Sequence, residues 1–379
     1  YDYETVAADL YRNKYFEEKQ MYYVNENIKN IYRVKFHDER FNMLRLDMNE
    51  NPEGLPREFF DAVISKITPE YIAASPEKDQ LMKMLAEHDG TAYEEISVTA
   101  GSDEAMRLIF HCFGSPGKKL LTVTPTFEMY GVYAGMFGMR HEMIGYKEDF
   151  SIDPTELLQA IDVDTGLVIL LNPNSPIGYA YSEKDVREII ERAQDAGAIV
   201  VVDEAYHYFY APTFMPLIRE YDNLLVLRTF SKLFSMAGLR IGYVSGNAEL
   251  INYIEKAEST FNVNNIAILF AQEVIRNQKL ADVLIMTERE GRMWIAEKLK
   301  NAGYQTLMME GNFVLFLPKR DSRLIVNELK KKNVWVRDYS RGILKGWVRV
   351  STGTVACMER FWDAFVQVEA ERNKSSHIE

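Results

Sequence analysis

Three continuous apolar runs, rich in β-branched residues, each stop abruptly at polar residues, and this feature constrains the fold most. Apolar runs that do not alternate with polar residues are typical of strands covered on both faces of a sheet. A helical pattern over residues 183–196 lies between the first two runs and supplies a crossover. The sequence therefore predicts a parallel α/β architecture. The runs occupy residues 167–171, 199–202 and 224–227.

The polar residues that follow these runs form the candidate site. Ligands of parallel α/β sheets bind outside the carboxyl ends of the strands, so these side chains are expected to converge on one crevice. A primary amine that faces an acid and several hydroxyls indicates a Schiff base with a carbonyl cofactor, in which the acid holds a cationic ring nitrogen. The residues concerned are Asn174, Ser175, Asp203, Tyr206, Ser231 and Lys232.

Charge and cysteine content narrow the range of partners. The formal net charge of −12 over 379 residues argues against nucleic acid or an anionic membrane surface and favours a small-molecule substrate. The two cysteines, Cys112 and Cys357, lie far apart without metal or redox spacing, which indicates a reducing, cytoplasmic setting. No histidine pair has the spacing of metal ligands, and no apolar run reaches membrane-spanning length, so neither a metal nor a membrane is expected.

An ordered series of short motifs runs along the chain. In order, these are Asn49-Glu50-Asn51-Pro52, Gly101-Ser102-Asp103-Glu104, Pro125-Thr126-Phe127, Asn172-Pro173-Asn174-Ser175-Pro176, Asp203-Glu204-Ala205-Tyr206, Ser231-Lys232, Gly238-Leu239-Arg240 and Arg349. With this series the chain, from about Leu46 to Thr354, resembles the fold-type I pyridoxal-phosphate enzymes. Within them it is similar to the class I/II aminotransferases of the histidinol-phosphate aminotransferase type. Each motif alone is modest, whereas their order and spacing together are specific.

The resemblance implies a fold and a division of the chain. The expected large domain, residues 51–257, has a mostly parallel sheet sandwiched by helices, and a smaller α+β domain covers residues 258–379. An N-terminal arm over residues 1–50, partly helical by its spacing from Val6 to Tyr15, is expected to pack on the small domain or on a partner subunit. The active sites of the family lie at the subunit boundary, so a homodimer is also expected.

The implied cofactor is pyridoxal 5′-phosphate. Lys232 would be its covalent anchor and proton carrier, and Asp203 would pair with the ring nitrogen. Such a pair of charges about 4 Å apart is worth roughly 4 kcal/mol at an effective dielectric of 20. Tyr206 would donate to the phenolic oxygen of the ring and Phe127 would stack on it. The free N–H groups of a helix start suit phosphate, and the expected phosphate contacts are Gly101, Ser102, Asp103, Thr229, Ser231 and Arg240.

Three residues are expected to meet the substrate. By resemblance Arg349 binds a carboxylate and Arg337 a second anionic group, while Asn51 touches the ligand from an entrance loop. A bidentate guanidinium suits such anions. An ion pair with the adjacent Asp338 is an equally good interpretation of Arg337.

Two positions depart from the family. Ser175, one step after Asn174, stands where an asparagine usually precedes the proline, and its hydroxyl has a shorter reach as a cofactor-binding donor. Ser75 and Pro76 replace a Tyr-Pro pair that reaches the phosphate of the neighbouring subunit, and the nearest tyrosine is Tyr71. The N-terminal tyrosine motif associated with histidinol phosphate is not recognisable, so this substrate is not predicted.

Together these residues predict a pyridoxal-phosphate-dependent aminotransferase. It would move an amino group between an amino acid, or a phosphorylated or anionic amine, and a 2-oxo acid or carbonyl acceptor. The alternative is a pyridoxal-phosphate-dependent decarboxylase of a phosphorylated amino acid, because the bond that breaks depends on a geometry that sequence does not reveal. A nucleotide hydrolase is disfavoured because residues 114–119 lack the spacing of a phosphate-binding loop. A non-catalytic binding protein is disfavoured by the complete set of acid, amine and phosphate ligands.

Overall fold

The computed structural model describes residues 22–29, 31–33 and 40–375, with side chains as far as residue 370. The helical pattern predicted between Val6 and Tyr15 lies outside these residues. The first described element is a short helix, α1 (Glu26–Lys29). Among the described helices none combines the length and the apolar character that a membrane span requires.

The larger of two sheets has seven strands in the order β2-β8-β7-β6-β5-β3-β4. All neighbouring pairs from β4 to β7 are parallel, whereas β8 runs antiparallel to both β7 and β2. The predicted mostly parallel sheet is therefore confirmed. Its strands are β2 (Ile96–Thr99), β3 (Lys119–Thr124), β4 (Arg140–Gly145), β5 (Thr165–Leu171), β6 (Ile199–Asp203), β7 (Leu224–Thr229) and β8 (Gly242–Gly246).

The three apolar runs of the sequence form the centre of this sheet. Val200, Val201 and Val202 of β6 are all fully buried, because both faces of the strand are covered. The predicted crossover is α8, which begins after Ser182, whose side chain accepts from the N–H of Asp185. The helices around this sheet are α2 (Arg57–Ile64), α3 (Pro69–Ala73), α4 (Asp79–Asp89), α5 (Ser102–Phe113), α6 (Met129–Met136), α7 (Pro154–Ala160), α8 (Glu183–Asp195), α9 (Ala248–Ala257) and α10 (Asn265–Arg276).

A second sheet has five strands in the order β1-β11-β12-β10-β9. Its strand β1 comes from the segment before residue 50 and pairs in parallel with β11, whereas the other neighbours are antiparallel. The predicted domain bounds stay predictions. The elements are β1 (Leu44–Leu46), β9 (Gln305–Leu307), β10 (Phe313–Leu317), β11 (Val334–Asp338), β12 (Val348–Ser351), α11 (Gln278–Asn301), α12 (Ser322–Lys331) and α13 (Val355–Ser375). Short 3₁₀ helices cover Tyr93–Glu95, His207–Phe209, Met215–Arg219, Ala237–Leu239 and Gly342–Leu344.

The two faces of β10 explain how the second sheet meets the first. Val314 and Phe316 belong to a core cluster with α11 and α13, whereas Phe313 and Leu315 belong to the core of the larger sheet. Successive side chains of a strand point to opposite faces. Leu315 is directly opposite Arg349 in the antiparallel pair of β10 and β12, and opposite residues point to the same face of a sheet. Arg349 therefore points, like Leu315, toward the larger sheet.

Candidate active site

The start of α5 and a guanidinium together form an anion-binding corner. Gly101, the residue before the helix, has φ 82° and provides no side-chain cap. A Cβ at this position would lie 2.8 Å from Arg240 Nη2 and would displace the guanidinium, and the positive φ favours glycine as well. The first N–H groups of the helix and Arg240 are both electropositive, which suits a phosphate. Gly101, Ser102 and Arg240 are therefore brought together, as the sequence predicts.

The hydroxyls of Thr229, the last residue of β7, and of Ser231 lie beside this corner. Thr229 Oγ1 donates to Ser231 Oγ at 2.9 Å, and Thr229 pairs with Gly242, where β8 begins next to Arg240. Asp103 is placed differently, because its carboxylate accepts a hydrogen bond of 2.8 Å from Tyr133 Oη. A contact from Asp103 to an anion would consequently come from its backbone N–H.

Asp203 ends β6 as a buried carboxylate that is 4% exposed. Tyr130 Oη donates to it at 2.8 Å and the N–H of Ala205 at 3.1 Å. These are its hydrogen-bond donors among the described residues, and both are neutral. Burial raises the pKa of Asp203 to about 6, although these two hydrogen bonds and the charge of Lys232 oppose the rise. Among the described residues no cation lies within ion-pair distance of this carboxylate, so a cationic N–H of a ligand would suit it.

Lys232 follows β7 and its amine reaches a loop of the second sheet. Nζ donates to the carbonyl oxygen of Met48 at 3.0 Å and lies 5.7 Å from the ring centre of Tyr206. The attraction between Lys232 and Asp203 lowers the pKa of Asp203 without overcoming its burial. The amine, the acid and the phenol predicted from sequence therefore share one crevice.

A network of side-chain hydrogen bonds joins Tyr206 to Ser175 through Asn49. Asn49 Nδ2 donates to Tyr206 Oη at 2.9 Å and to Ser175 Oγ at 3.1 Å. Burial alone would raise the pKa of Tyr206, but the charges of Lys232 and Arg349 and the bonds with Ser175 and Asn49 lower it below its ordinary value. This phenol therefore gives up its hydrogen more readily than an ordinary tyrosine.

Two residues of this site, Asn49 and Tyr130, were missed by sequence reasoning. Asn49 opens the motif Asn-Glu-Asn-Pro, whereas Tyr130 lies three residues after the motif Pro-Thr-Phe and outside it. The predicted contact, Asn51, instead donates from Nδ2 to the carbonyl oxygen of Leu233 at 3.0 Å, next to Lys232. Sequence gave no signal for choosing between the two asparagines of the loop.

Arg349 lies where the second sheet meets Ser175. Its Nη1 donates to Ser175 Oγ at 3.2 Å and its Nη2 to the carbonyl oxygen of Asp47. Its Nε is buried and has no hydrogen-bond partner among the described residues. An arginine with an unused buried donor is suited to a further anion.

Arg337 is directly opposite Arg349 in the antiparallel pair of β11 and β12. Like charges in such positions repel each other, so this face of the sheet favours anionic neighbours. Arg337 Nη2 lies 3.3 Å from Glu128 Oε1, a contact with a residue far along the chain. The two arginines predicted to bind anions therefore share one face.

The remaining predicted residues lie at the edges of the crevice. Asn174 is fully buried and its amide bonds to Thr126 Oγ1 at 2.6 Å, the Pro125 carbonyl at 2.9 Å and Tyr146 Oη at 2.8 Å. Phe127 is 44% exposed and meets the ring of Tyr130 edge-on. An exposed aromatic ring of this kind is available for stacking. Tyr71, the tyrosine nearest to Ser75, donates to the carbonyl oxygen of Asn265 in its own chain at 3.0 Å.

A known protein family matches most of the sequence. The sequence pattern of the family described as aminotransferase class I and II matches residues 42–365. A histidinol-phosphate aminotransferase of Thermoanaerobacter pseudethanolicus is 31% identical over 335 residues, covering 87% of this chain and 94% of that protein. A chloroplastic histidinol-phosphate aminotransferase of Arabidopsis thaliana is 33% identical over 335 residues, covering 84% of this chain and 78% of that protein.

Solved structures share the fold. The histidinol-phosphate aminotransferase of Sinorhizobium meliloti, crystallised with pyridoxal-5′-phosphate, matches with a TM-score of 0.77 at 24% identity, over 86% of this chain and 90% of that one. The histidinol-phosphate aminotransferase of Clostridium acetobutylicum matches with a TM-score of 0.78 at 22% identity, over 87% of this chain and all of that one. At these identities the structures support the fold-type I architecture alone.

Proposed function

Because the chain belongs to the class I and II aminotransferases, we propose that the crevice around Lys232 is where it binds pyridoxal phosphate and moves an amino group. The chain is a pyridoxal-phosphate-dependent aminotransferase, and the roles of its individual residues are our proposal. The proposal rests on the surroundings of Asp203. This carboxylate is buried, its hydrogen-bond donors among the described residues are neutral, and burial raises its pKa to about 6.

The residues present fit the cofactor at both of its ends. Asp203 would hold the protonated ring nitrogen, and Gly101, Ser102 and Arg240 would hold the phosphate at the start of α5. When bound, pyridoxal phosphate withdraws electrons from the α-carbon of an amine and so stabilises a carbanion there. The negative charge of Asp203 sustains that withdrawal because it keeps the ring nitrogen protonated.

Lys232 would act first as covalent anchor and then as the base that moves a proton at the α-carbon. Both roles require a neutral amine that can change partners. Among the described residues its hydrogen-bond acceptor is neutral, the carbonyl oxygen of Met48. Such a partner is easily exchanged, because it holds the amine without an ion pair.

Borohydride reduction tests the anchor. The reduced enzyme should carry the cofactor on the peptide that contains Lys232, and Lys232→Ala should lose the covalent label while keeping its fold by circular dichroism. A label found on any other lysine would refute the assignment.

We propose that the amino donor carries two anionic groups. Arg349, with its unpartnered buried Nε, would bind the carboxylate or an equivalent oxyanion, and Arg337 on the same face would bind the second group. The named relatives are histidinol-phosphate aminotransferases, so a phosphorylated amine is the first class to try. Histidinol phosphate has the phosphate as its single anionic group, so it serves as the comparison for donors with two, and the N-terminal sequence motif associated with it is not recognisable here.

A panel of donors tests both the substrate class and the reaction. Phosphoserine, aspartate and glutamate, which carry two anionic groups, would be compared with histidinol phosphate and phenylalanine, which carry one each. Donors with two anionic groups should convert the spectrum of the bound cofactor and yield the oxo product, with a higher KM in Arg337→Gln. Release of CO₂ without an oxo product would establish the decarboxylase alternative, which none of the relatives named above supports.

We also propose a homodimer, as the family implies. Ile72 and Phe261 are 62% and 59% exposed, and they belong to two segments that the bond from Tyr71 to Asn265 ties together. Exposed large apolar side chains on neighbouring segments are typical of a subunit interface. Sedimentation of the purified protein should give twice the mass of one chain, and Phe261→Glu should shift it toward the monomer. A cytoplasmic location stays a prediction.

A further inference from the structure

Asn49 is held rigidly although it lies in a loop. Its N–H donates to Ser351 Oγ at 2.8 Å, Ser351 Oγ donates to its Oδ1 at 3.1 Å, and Asn312 Nδ2 donates to its carbonyl oxygen at 3.0 Å. The residue is 1% exposed and has φ 53°, a conformation that asparagine tolerates better than most residues. Its Nδ2 is consequently fixed between Ser175 Oγ and Tyr206 Oη.

The hydrogens of these two hydroxyls follow from counting donors and acceptors. A hydroxyl has one hydrogen and two lone pairs. Ser175 Oγ accepts from Asn49 Nδ2 and Arg349 Nη1, so both of its lone pairs are used and it cannot accept the hydrogen of Tyr206. Tyr206 Oη accepts from Asn49 Nδ2, which has no lone pair to offer in return, so the hydrogen of Tyr206 points away from both residues.

We propose that Asn49 is a positioning residue that directs the Tyr206 hydroxyl, so that Tyr206 donates its hydrogen to the phenolic oxygen of pyridoxal phosphate. The inference rests on the proposed function, because it assumes that Tyr206 faces the cofactor. It concerns this chain in particular, since Ser175 stands where the family has an asparagine. Here the amide that completes the network comes from the entrance loop.

An isosteric substitution tests the direction of the hydrogen bonds. In Asn49→Asp the donor becomes an acceptor, so the hydrogens of Ser175 and Tyr206 turn toward it and the cofactor loses its donor. A donor stabilises the deprotonated phenolic oxygen, so its loss should raise the pH midpoint of the visible absorbance change of the bound cofactor by about one unit. The Kd of the apoenzyme for pyridoxal phosphate should rise about tenfold. Tyr206→Phe should move the midpoint in the same direction.

Two further variants separate positioning from a structural role. Asn312→Ala releases the backbone of Asn49 but keeps its amide, and should lower the Tm without moving the absorbance midpoint. Asn49→Gly suits the positive φ, adds no charge and removes the amide, so it should raise the midpoint even if Asn49→Asp fails to fold.

The outcomes are distinguishable. If Tyr206→Phe raises the midpoint while Asn49→Asp and Asn49→Gly leave it at the value of the unmodified enzyme, Asn49 is only structural and the inference is overturned. It is also overturned if Asn312→Ala shifts the midpoint as far as Asn49→Gly does. Failure of the unmodified enzyme to bind pyridoxal phosphate, or to change its spectrum with any amino donor, would overturn the proposed function itself before any variant is compared.

Discussion

Two neighbouring carboxylates at the end of β6, Asp203 and Glu204, are both buried but are treated in opposite ways. Glu204 accepts from Arg228 Nε at 2.9 Å, and Arg228 also pairs with Asp89 at 2.8 Å, so the chain supplies a buried cation. Asp203 receives hydrogen bonds from Tyr130 and Ala205, which are neutral. Burying an unpaired charge is costly. The fold thus uses Glu204 in a buried ion pair, whereas under the proposed function the charge of Asp203 is matched by the cofactor.

The largest expected effect is on catalysis and comes from removing the charge of Asp203. In Asp203→Asn the cofactor ring loses an interaction of about 4 kcal/mol, so kcat/KM of the holoenzyme should fall about a thousandfold. Steady-state kinetics with saturating cofactor would measure it. A fall of less than tenfold would mean that Asp203 does not contact the ring nitrogen.

The matched substitution at the next residue should act on folding instead. In Glu204→Gln the cation of Arg228 loses one of its two buried anions, which should lower the free energy of unfolding by about 3 kcal/mol. Urea unfolding of the apoprotein would measure this loss, with Asp203→Asn as the control that removes a carboxylate of the same burial without removing an ion pair. Equal destabilisation by both substitutions would contradict the contrast between the two carboxylates.

The pH dependence of the apoprotein sharpens the same contrast. The pKa of Asp203 is about 6 in the folded state against an ordinary 3.8, so between these values the folded state binds more protons than the unfolded state. The contribution of Asp203 to the free energy of unfolding therefore falls as the pH rises from about 3.8 to about 6, by about 3 kcal/mol in total. Above pH 6 this contribution changes little. The difference in unfolding free energy between Asp203→Asn and the unmodified apoprotein should accordingly grow from pH 4 to pH 6 and then level off. A constant difference over this range would show that burial does not raise the pKa of Asp203.

Much of this contrast could be expected from the sequence, and part of it could not. The apolar runs fix the strands of the larger sheet, and the polar residues that follow them fix Asp203 and Lys232 at one edge, because parallel strands end together. Asn49 could not be chosen in advance, since its partner Ser351 is 302 residues away and belongs to the other sheet. The ion pair of Glu204 with Arg228 likewise depends on which side of β6 each carboxylate faces, and two adjacent acids in a sequence do not reveal this.

The smallest effect is expected at Glu128, which pairs with Arg337 at the surface. Unlike Asp203 and Glu204, this carboxylate is exposed to solvent. Glu128 is 78% exposed, so solvent screens its attraction to Arg337 and Glu128→Gln should change the unfolding free energy by less than about 1 kcal/mol. The substitution removes an anion that competes for Arg337, so the KM for a donor with two anionic groups should fall about threefold, whereas the KM for phenylalanine should stay the same. An equal change for both donors would show that Arg337 does not meet the second anionic group. Glu128 would then belong with the many exposed ion pairs that contribute little, and the choice of substrate would depend on Arg349 alone.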